Sequence, residues 1–277
     1  MRVVALTPAL GAEIHGLDLR ETLSDALLAE LRRIWLERLV VVFKGQTLEP
    51  AQQMAFARRW GEPDRYPFLK GLDGFPEITE VLKREHETVN FGGLWHADTT
   101  YQRCPPMATM LYALELPPVG GDTLFADQRL AFETLSEGLR KTLAGLRAIA
   151  SAAQPAVSAT RSARVADQGT EESTEAWRAV HPVVRRHPET GRPSLFVNPA
   201  HTIGFEGWSE ADSRPLLEHL FHHQVSEAFT CRLRWQPGDL ALWDNRAVLH
   251  YPLNDYHGHR RRLHRITLKG DEPRPLI

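Results

Sequence analysis

Cysteine is nearly absent from this chain of 277 residues: only Cys104 and Cys231 occur, too few for a disulfide framework and without the paired spacing of a zinc site. Both are read as reduced thiols of a cytoplasmic protein. Neither sign of charge predominates, with 33 Lys and Arg against 35 Asp and Glu and a net charge of −2. A chain without a basic field has little to hold a polyanion, so neither nucleic acid nor a membrane surface is expected as a partner. No apolar run is long enough to span a bilayer, and Met1-Arg2-Val3-Val4-Ala5-Leu6-Thr7 ahead of Pro8 lacks the form of a signal peptide. Absent too are any internal repeat, the G-x-S-x-G of a nucleophile elbow and the G-x-x-x-x-G-K-[ST] of a phosphate loop, so those two chemistries have no seat here.

What is present is an ordinary globular composition, 42% hydrophobic and 25% charged, at a length that allows one elaborated domain, 1–277, with a substantial core. Leu27, Leu28, Leu31, Ile34 and Trp35 repeat at helical spacing and predict a helix over Ser24 to Glu37, with Ser24 and Asp25 at its start. Pro50 to Trp60, between a proline suited to a first turn and Gly61, predicts a second. Further helices are expected near Phe132 to Leu146 and Glu210 to Val225. Leu39 to Phe43 reads as a strand buried on both sides. Beyond residue 77 strands dominate: Ile78 to Leu82, Leu94 to Tyr101, Met107 to Leu114, Val180 to Arg186, Ser194 to Asn198, Phe229 to Trp235, Leu240 to Trp243 and Leu263 to Leu268. Strands divided by Pro- and Gly-rich turns indicate an antiparallel sandwich or barrel with flanking helices. Gln154 to Thr174 has no clear periodicity and is expected as a lid over a site.

Trp95-His96-Ala97-Asp98 carries the chemistry. On a strand, alternate residues point to one face about 6–7 Å apart, so His96 and Asp98 are expected to reach one cation from neighbouring positions. Two histidines and a carboxylate hold Fe(II) on one side and leave the other open. The pattern alone is short, and a core histidine satisfied by hydrogen bonds is the competing reading. The chain contains a second match, His187-Pro188-Glu189, which lies in a Pro/Gly turn and is read as structural. A third ligand from a distant strand could close the triangle, and His250, after Trp243-Asp244-Asn245-Arg246, is a candidate for it. In Arg260-Arg261-Arg262-Leu263-His264-Arg265, alternation puts Arg261, Leu263 and Arg265 on one face. Some of that charge should point inward, where a guanidinium needs an anion, and a carboxylate fits it best. Trp95 and Trp243 are read as packing groups, Asp244 and Asn245 as turn caps, His222 and His223 as surface residues, and His264 as structural.

Taken in order, Trp95-His96-Ala97-Asp98, Gly120-Gly121-Asp122-Thr123, Trp243-Asp244-Asn245-Arg246, His250, and Arg261 followed by His264-Arg265 resemble the motif set of the taurine dioxygenase (TauD/TfdA-like) family. The resemblance runs from Val4 to about Pro273 and implies a double-stranded β-helix, or jelly-roll, core. It implies a dioxygenase that uses Fe(II), 2-oxoglutarate and O2, releases succinate and CO2, and hydroxylates a small anionic substrate. By resemblance His96, Asp98 and His250 hold the iron, Arg261 and Thr123 bind the far carboxylate of 2-oxoglutarate, and Arg265 meets the substrate anion. Tyr66, Leu69, Gly92 and His201 fall at substrate-pocket positions where the taurine pattern has other residues. These departures point away from taurine, toward a bulkier or less polar organosulfonate, alkyl sulfate or carboxylate. A homodimer or homotetramer is implied as well. Two rivals remain beside it: a metal-dependent hydrolase, which leaves Arg261 and Thr123 without a purpose, and a non-catalytic jelly-roll binding protein.

Overall fold

The computed structural model describes residues 1–90, 92–155 and 177–277. The segment expected as a lid therefore lies, from residue 156 onward, outside the described residues.

Among the described residues the largest unit is a nine-stranded sheet. Its order is Arg2–Ala5, Ala12–His15, Val40–Phe43, Leu240–Asp244, Ala108–Glu115, Arg261–Leu268, Phe75–Lys83 and Gly71–Leu72, with Pro63–Asp64 pairing to the end of Arg261–Leu268. All its pairings are antiparallel except Ala12–His15 with Val40–Phe43. A strand in the middle of such a sheet, covered on both faces, has no reason to alternate polar with apolar. Val40–Phe43 is buried at every position, as its sequence predicts.

The two faces of this sheet are covered differently. On one, Val41, Phe43, Met110, Tyr112, Leu242, Ile266 and Leu268 pack under the helices Asp25–Arg38 and Pro50–Trp60. Both helices begin where expected: Ser24 Oγ accepts the Leu27 N–H, and Pro50 sits in the first turn of the second. On the other face Val40, Val42, Leu111, Ala241, Trp243 and Leu263 pack against Phe125, Cys231, Leu233 and Val248. The latter belong to a three-stranded sheet ordered Thr230–Leu233, Thr123–Asp127, Val248–Pro252. This is a jelly roll: two sheets face to face, with helices outside the larger.

Several expected elements are divided or shorter. The stretch near Phe132 to Leu146 is two helices, Gln128–Glu133 and Glu137–Ala144, because Ser136 caps a new start through Leu139 N–H. Val180 to Arg186 breaks at Val183, whose N–H bonds Leu146 O and whose carbonyl accepts from Phe196; Arg178–Pro182 joins one small sheet and Val184–Arg186 another. Ser194 to Asn198 contributes only Pro193–Leu195, and Phe229 to Trp235 only Thr230–Leu233, after a 3-10 turn at Glu227–Phe229. Glu210–His223 is the remaining expected helix. Among the described residues no helix is long and apolar enough to cross a membrane.

Candidate active site

Each sheet contributes one wall. His250 stands on Val248–Pro252, whose partner strand Thr123–Asp127 begins with Thr123. Arg261 and Arg265 stand on the larger sheet and face the same space, with Leu263 between them at the apolar junction. Strand alternation thus brings the inward charge to the place the sequence requires.

His96 and Asp98 reach the site differently from expectation. The segment Leu94 to Tyr101 is not a strand: His96 makes a single bridge with His250, its N–H to His250 O at 3.0 Å and His250 N–H to its own carbonyl at 2.8 Å. A turn follows in which Thr99 has a φ of 42°, closed by Gln102 N–H on Thr99 O. The bridge places the two imidazoles side by side, centroids 4.1 Å apart, and the turn swings Asp98 back toward them.

His96 Nε2 lies 3.7 Å from Asp98 Oδ1, and His250 Nε2 lies 3.9 Å from the same oxygen. With metal bonds of roughly 2.0–2.2 Å, two ligand atoms on one cation stand no more than about 4.3 Å apart, so both separations suit a shared ion. Among the described residues these three are the one group of His, Cys, Asp or Glu placed to hold a metal. The donor chemistry agrees. His96 Nδ1 is bonded to Leu94 O at 2.7 Å, which makes it the protonated nitrogen and leaves Nε2 a lone pair. Burial pushes both imidazoles toward the neutral form, His250 most strongly. Burial would raise the Asp98 carboxyl, yet Arg265, the two histidines and Thr109 together hold it below the usual carboxylate range. Two neutral imidazoles and one carboxylate match Fe(II).

Around this triangle lie two cavities that share His96, Asp98 and Arg265 as a common wall. The first is also lined by Thr123, Arg261, Tyr256 and Lys83. Arg261 is buried, donates from Nε to Gly121 O at 3.1 Å, and among the described residues has no hydrogen-bond partner at Nη2. Thr123 Oγ1 accepts from Trp235 Nε1 at 3.0 Å, which turns the hydroxyl proton away from the indole. Lys83 lies over the Tyr256 ring at 4.1 Å and donates to Asn254 Oδ1. Burial lowers its pKa.

The second cavity is lined by Tyr66, Gly92, Tyr101, His201 and Arg265. Arg265 lies over the Tyr66 ring at 4.8 Å, with one terminal nitrogen 3.0 Å from Asp98 Oδ1 but not aligned for a hydrogen bond. Gly92 has a φ of +80°, and a Cβ there would meet His96 Cε1 at 2.9 Å, so this position admits no side chain without moving His96. Leu69 lines neither cavity; it packs behind Tyr66 with Phe68 and Tyr101.

Sequence reasoning missed the clamp on Asp98. Thr109 Oγ1 donates to Asp98 Oδ2 at 2.5 Å, and Asn245 Nδ2 donates to Thr109 Oγ1 at 2.9 Å. Asn245 Oδ1 accepts from Trp243 Nε1 at 2.9 Å and Asp98 N at 3.4 Å, so Asn245 ties the Asp98 loop to the larger sheet rather than capping its own turn. Asp244 ends a strand; besides the Arg246 N–H it accepts two guanidinium bonds from Arg246 and one from His187. His187 and Glu189 join this buried ionic network and lie outside the metal triangle, in keeping with their structural reading. Trp243 packs on the His250 ring, centroids 4.7 Å apart, and Trp95 on Tyr251. His264 is buried against Gln53, and His222 is exposed. His223, expected at the surface, is half-buried because its Nε2 bonds Ala131 O at 2.7 Å.

Comparison with known proteins places this arrangement. The family described as taurine catabolism dioxygenase TauD, TfdA family matches residues 2–267. An alpha-ketoglutarate-dependent 2,4-dichlorophenoxyacetate dioxygenase of Cupriavidus pinatubonensis is 36% identical, with 98% of this chain and 99% of that protein aligned. An alpha-ketoglutarate-dependent sulfate ester dioxygenase of Pseudomonas putida is 32% identical over 95% of this chain and 88% of that protein. The crystal structure of a taurine dioxygenase from Burkholderia xenovorans superposes with a TM-score of 0.83 at 34% identity, covering 98% of this chain and 90% of the other. Agreement in sequence over nearly the whole length, and in fold with the jelly roll around the His-Asp-His triangle, means that the chain belongs to the TauD, TfdA family of Fe(II)- and 2-oxoglutarate-dependent dioxygenases.

Proposed function

We propose that the whole chain, 1–277, acts as one dioxygenase domain in which His96, Asp98 and His250 hold Fe(II), Arg261 and Thr123 bind 2-oxoglutarate, and the Tyr66–His201 cavity receives a small organic anion. The observation that carries the reading is Arg261: a buried guanidinium with an unpartnered Nη2, lining the same cavity as the metal triangle. A buried guanidinium with a donor left unbonded is costly, and a dicarboxylate whose other end chelates the metal would satisfy it. Thr123, aimed by Trp235, adds a neutral donor beside it. Iron bound with 2-oxoglutarate and O2 supplies the oxidising chemistry, which yields succinate, CO2 and a hydroxylated substrate. The protein's own part is placement: the bridge to His250 fixes His96, Thr109 fixes Asp98, and Arg261 fixes the cosubstrate's far end.

Arg265 is the cation of the second cavity and meets the substrate's acidic group. The aromatic wall of Tyr66, Tyr101 and His201 favours a larger, less polar body than that of taurine. Relatives acting on 2,4-dichlorophenoxyacetate and on sulfate esters support an acid of that kind. The anaerobic protein with Fe(II) and 2-oxoglutarate should show a visible metal-to-ligand charge-transfer band, and Arg261→Ala should weaken 2-oxoglutarate binding on the order of 100-fold. Succinate should appear when oxygen is admitted with aryloxyalkanoates, alkyl sulfates or alkylsulfonates. No band in the wild type, or full affinity in Arg261→Ala, would refute this reading.

A further inference from the structure

The cavity lined by Thr123 and Arg261 contains a second cation to which the functional reading gives no task. Strand pairing sets Lys83, at the end of Phe75–Lys83, directly opposite Arg261, at the start of Arg261–Leu268. Residues facing each other in an antiparallel pair share a face of the sheet, with Cβ atoms about 4.5–5.5 Å apart, and like charges so placed are destabilising. Both side chains belong to buried residues, Lys83 at 4% and Arg261 at 5% exposure, and both line the cavity beside the metal triangle. What holds the ammonium in place does not neutralise it. It donates to Asn254 Oδ1 at 2.9 Å, and that amide is oriented from its other end, where Nδ2 donates to Thr88 O at 2.8 Å. The Tyr256 ring covers another side of Lys83 at 4.1 Å, as Trp235 covers Arg261 at 5.8 Å. An amide oxygen and aromatic faces attract a cation without carrying a countercharge. Among the described residues neither cation forms an ion pair; the carboxylates of Glu87 and Asp255 act on Lys83, and that of Asp122 on Arg261, from longer range.

We propose that Lys83 is a second anchor for the far carboxylate of 2-oxoglutarate, sharing it with Arg261 across the strand pair. The inference rests on the functional reading above and adds a residue to its cosubstrate site. A carboxylate between the two strands offsets the repulsion of the cations and accepts from both. Its two oxygens have about four acceptor sites, enough for Arg261, the Thr123 hydroxyl and the ammonium together. The consequence is selectivity. A 2-oxo acid without a carboxylate at that end leaves two buried cations facing each other, and groups left unpaired in a site penalise the wrong ligand more than the matched contact favours the right one.

The test measures binding rather than turnover. The full-length protein loaded with Mn(II) is titrated calorimetrically with 2-oxoglutarate and with 2-oxopentanoate, the same chain ending in a methyl group. Lys83→Gln removes the charge but keeps most of the stem and an amide donor for Asn254; Lys83→Met takes its place if that variant does not fold. Either should weaken 2-oxoglutarate on the order of tenfold and leave the affinity for 2-oxopentanoate unmoved. Lys83→Arg, which keeps the charge, should retain most of the wild-type affinity. Unchanged 2-oxoglutarate affinity in the neutral variants overturns the inference while Arg261→Ala still upholds the functional reading. An equal loss for both acids overturns it too, since Lys83 then supports the cavity wall and does not meet the carboxylate. A wild type that binds 2-oxoglutarate no more tightly than 2-oxopentanoate refutes the functional reading instead, Arg261 included, and with it the role given to Lys83.

Discussion

Asp98 has two carboxylate oxygens, and its neighbours divide them. Oδ1 faces both imidazoles and Arg265, while Oδ2 accepts the Thr109 hydroxyl. Thr109 therefore holds the carboxylate in an orientation that would offer a metal one oxygen, and Asn245 holds Thr109. Removing such an outer partner typically costs 10–100-fold in metal affinity. Thr109→Val should weaken Mn(II) or anaerobic Fe(II) binding by about that factor in equilibrium dialysis; unchanged affinity would mean that the hydroxyl does not orient Asp98. His96, Asp98, His250 and the two cavity arginines were singled out in the sequence by the order of motifs it shares with the family, since H-x-D alone is short, and the fold brings all five to one cavity. The roles of Thr109 and Asn245 were not legible there, since a threonine inside an apolar strand and an Asp-Asn pair at a strand end have common structural readings. Other buried histidines affect stability rather than chemistry. Burial holds His181 and His264 below the ordinary 6.5, whereas in the unfolded chain both take up protons as the pH falls through that value. The unfolded state then binds more protons, so stability is full above pH 6.5 and declines below it, by up to about 1.4 kcal/mol per pH unit for each group. Urea midpoints followed from pH 7.5 to 5 should fall in that direction. His264→Gln should flatten the slope, and an unaltered slope would remove His264 from the account.

The strand Arg261–Leu268 shows why one element can be both core and active site. It pairs with Ala108–Glu115 on one side and Phe75–Lys83 on the other, so both edges are covered. Ile266 and Leu268 point under the helices, while Leu263 points toward the smaller sheet between Arg261 and Arg265. Its sequence reads as a charged surface strand until the alternation is followed. Inward-facing arginines are explained only by the cavity ahead of them. Leu263 is fully buried, and Leu263→Ala should cost about 2–5 kcal/mol by leaving a void beneath both guanidiniums. It should also loosen 2-oxoglutarate binding; a destabilised variant with unchanged cosubstrate affinity would show that the arginines are placed independently of this packing. Long elements with a clear period, such as Asp25–Arg38 and Pro50–Trp60, were legible almost to the residue. Short ones were not. Thr123–Asp127 has five residues and no period of its own, and it is a strand because Thr230–Leu233 and Val248–Pro252 bond it from both sides.

At the scale of the molecule, the jelly roll leaves its site at a seam. Thr123 and His250 belong to the smaller sheet, Arg261 and Arg265 to the larger, and His96 and Asp98 to a loop bridged to one and clamped to the other. A cosubstrate that touches the metal triangle and Arg261 together spans that seam and binds only when both sheets are in place. Ligands bound by the folded state alone stabilise it by about 2.7 kcal/mol at 100 times their Kd. For a chain of this size that corresponds to a rise in Tm on the order of 5–10 °C. Mn(II) with 2-oxoglutarate should produce such a rise in the wild type, and chelation of the metal should reverse it. Arg261→Ala should keep the part due to Mn(II) and lose the increment due to 2-oxoglutarate, because the metal triangle is intact while the anchor across the seam is gone. If the increment survives in Arg261→Ala, the dicarboxylate is held from one side only, and the seam does not link folding to cosubstrate binding.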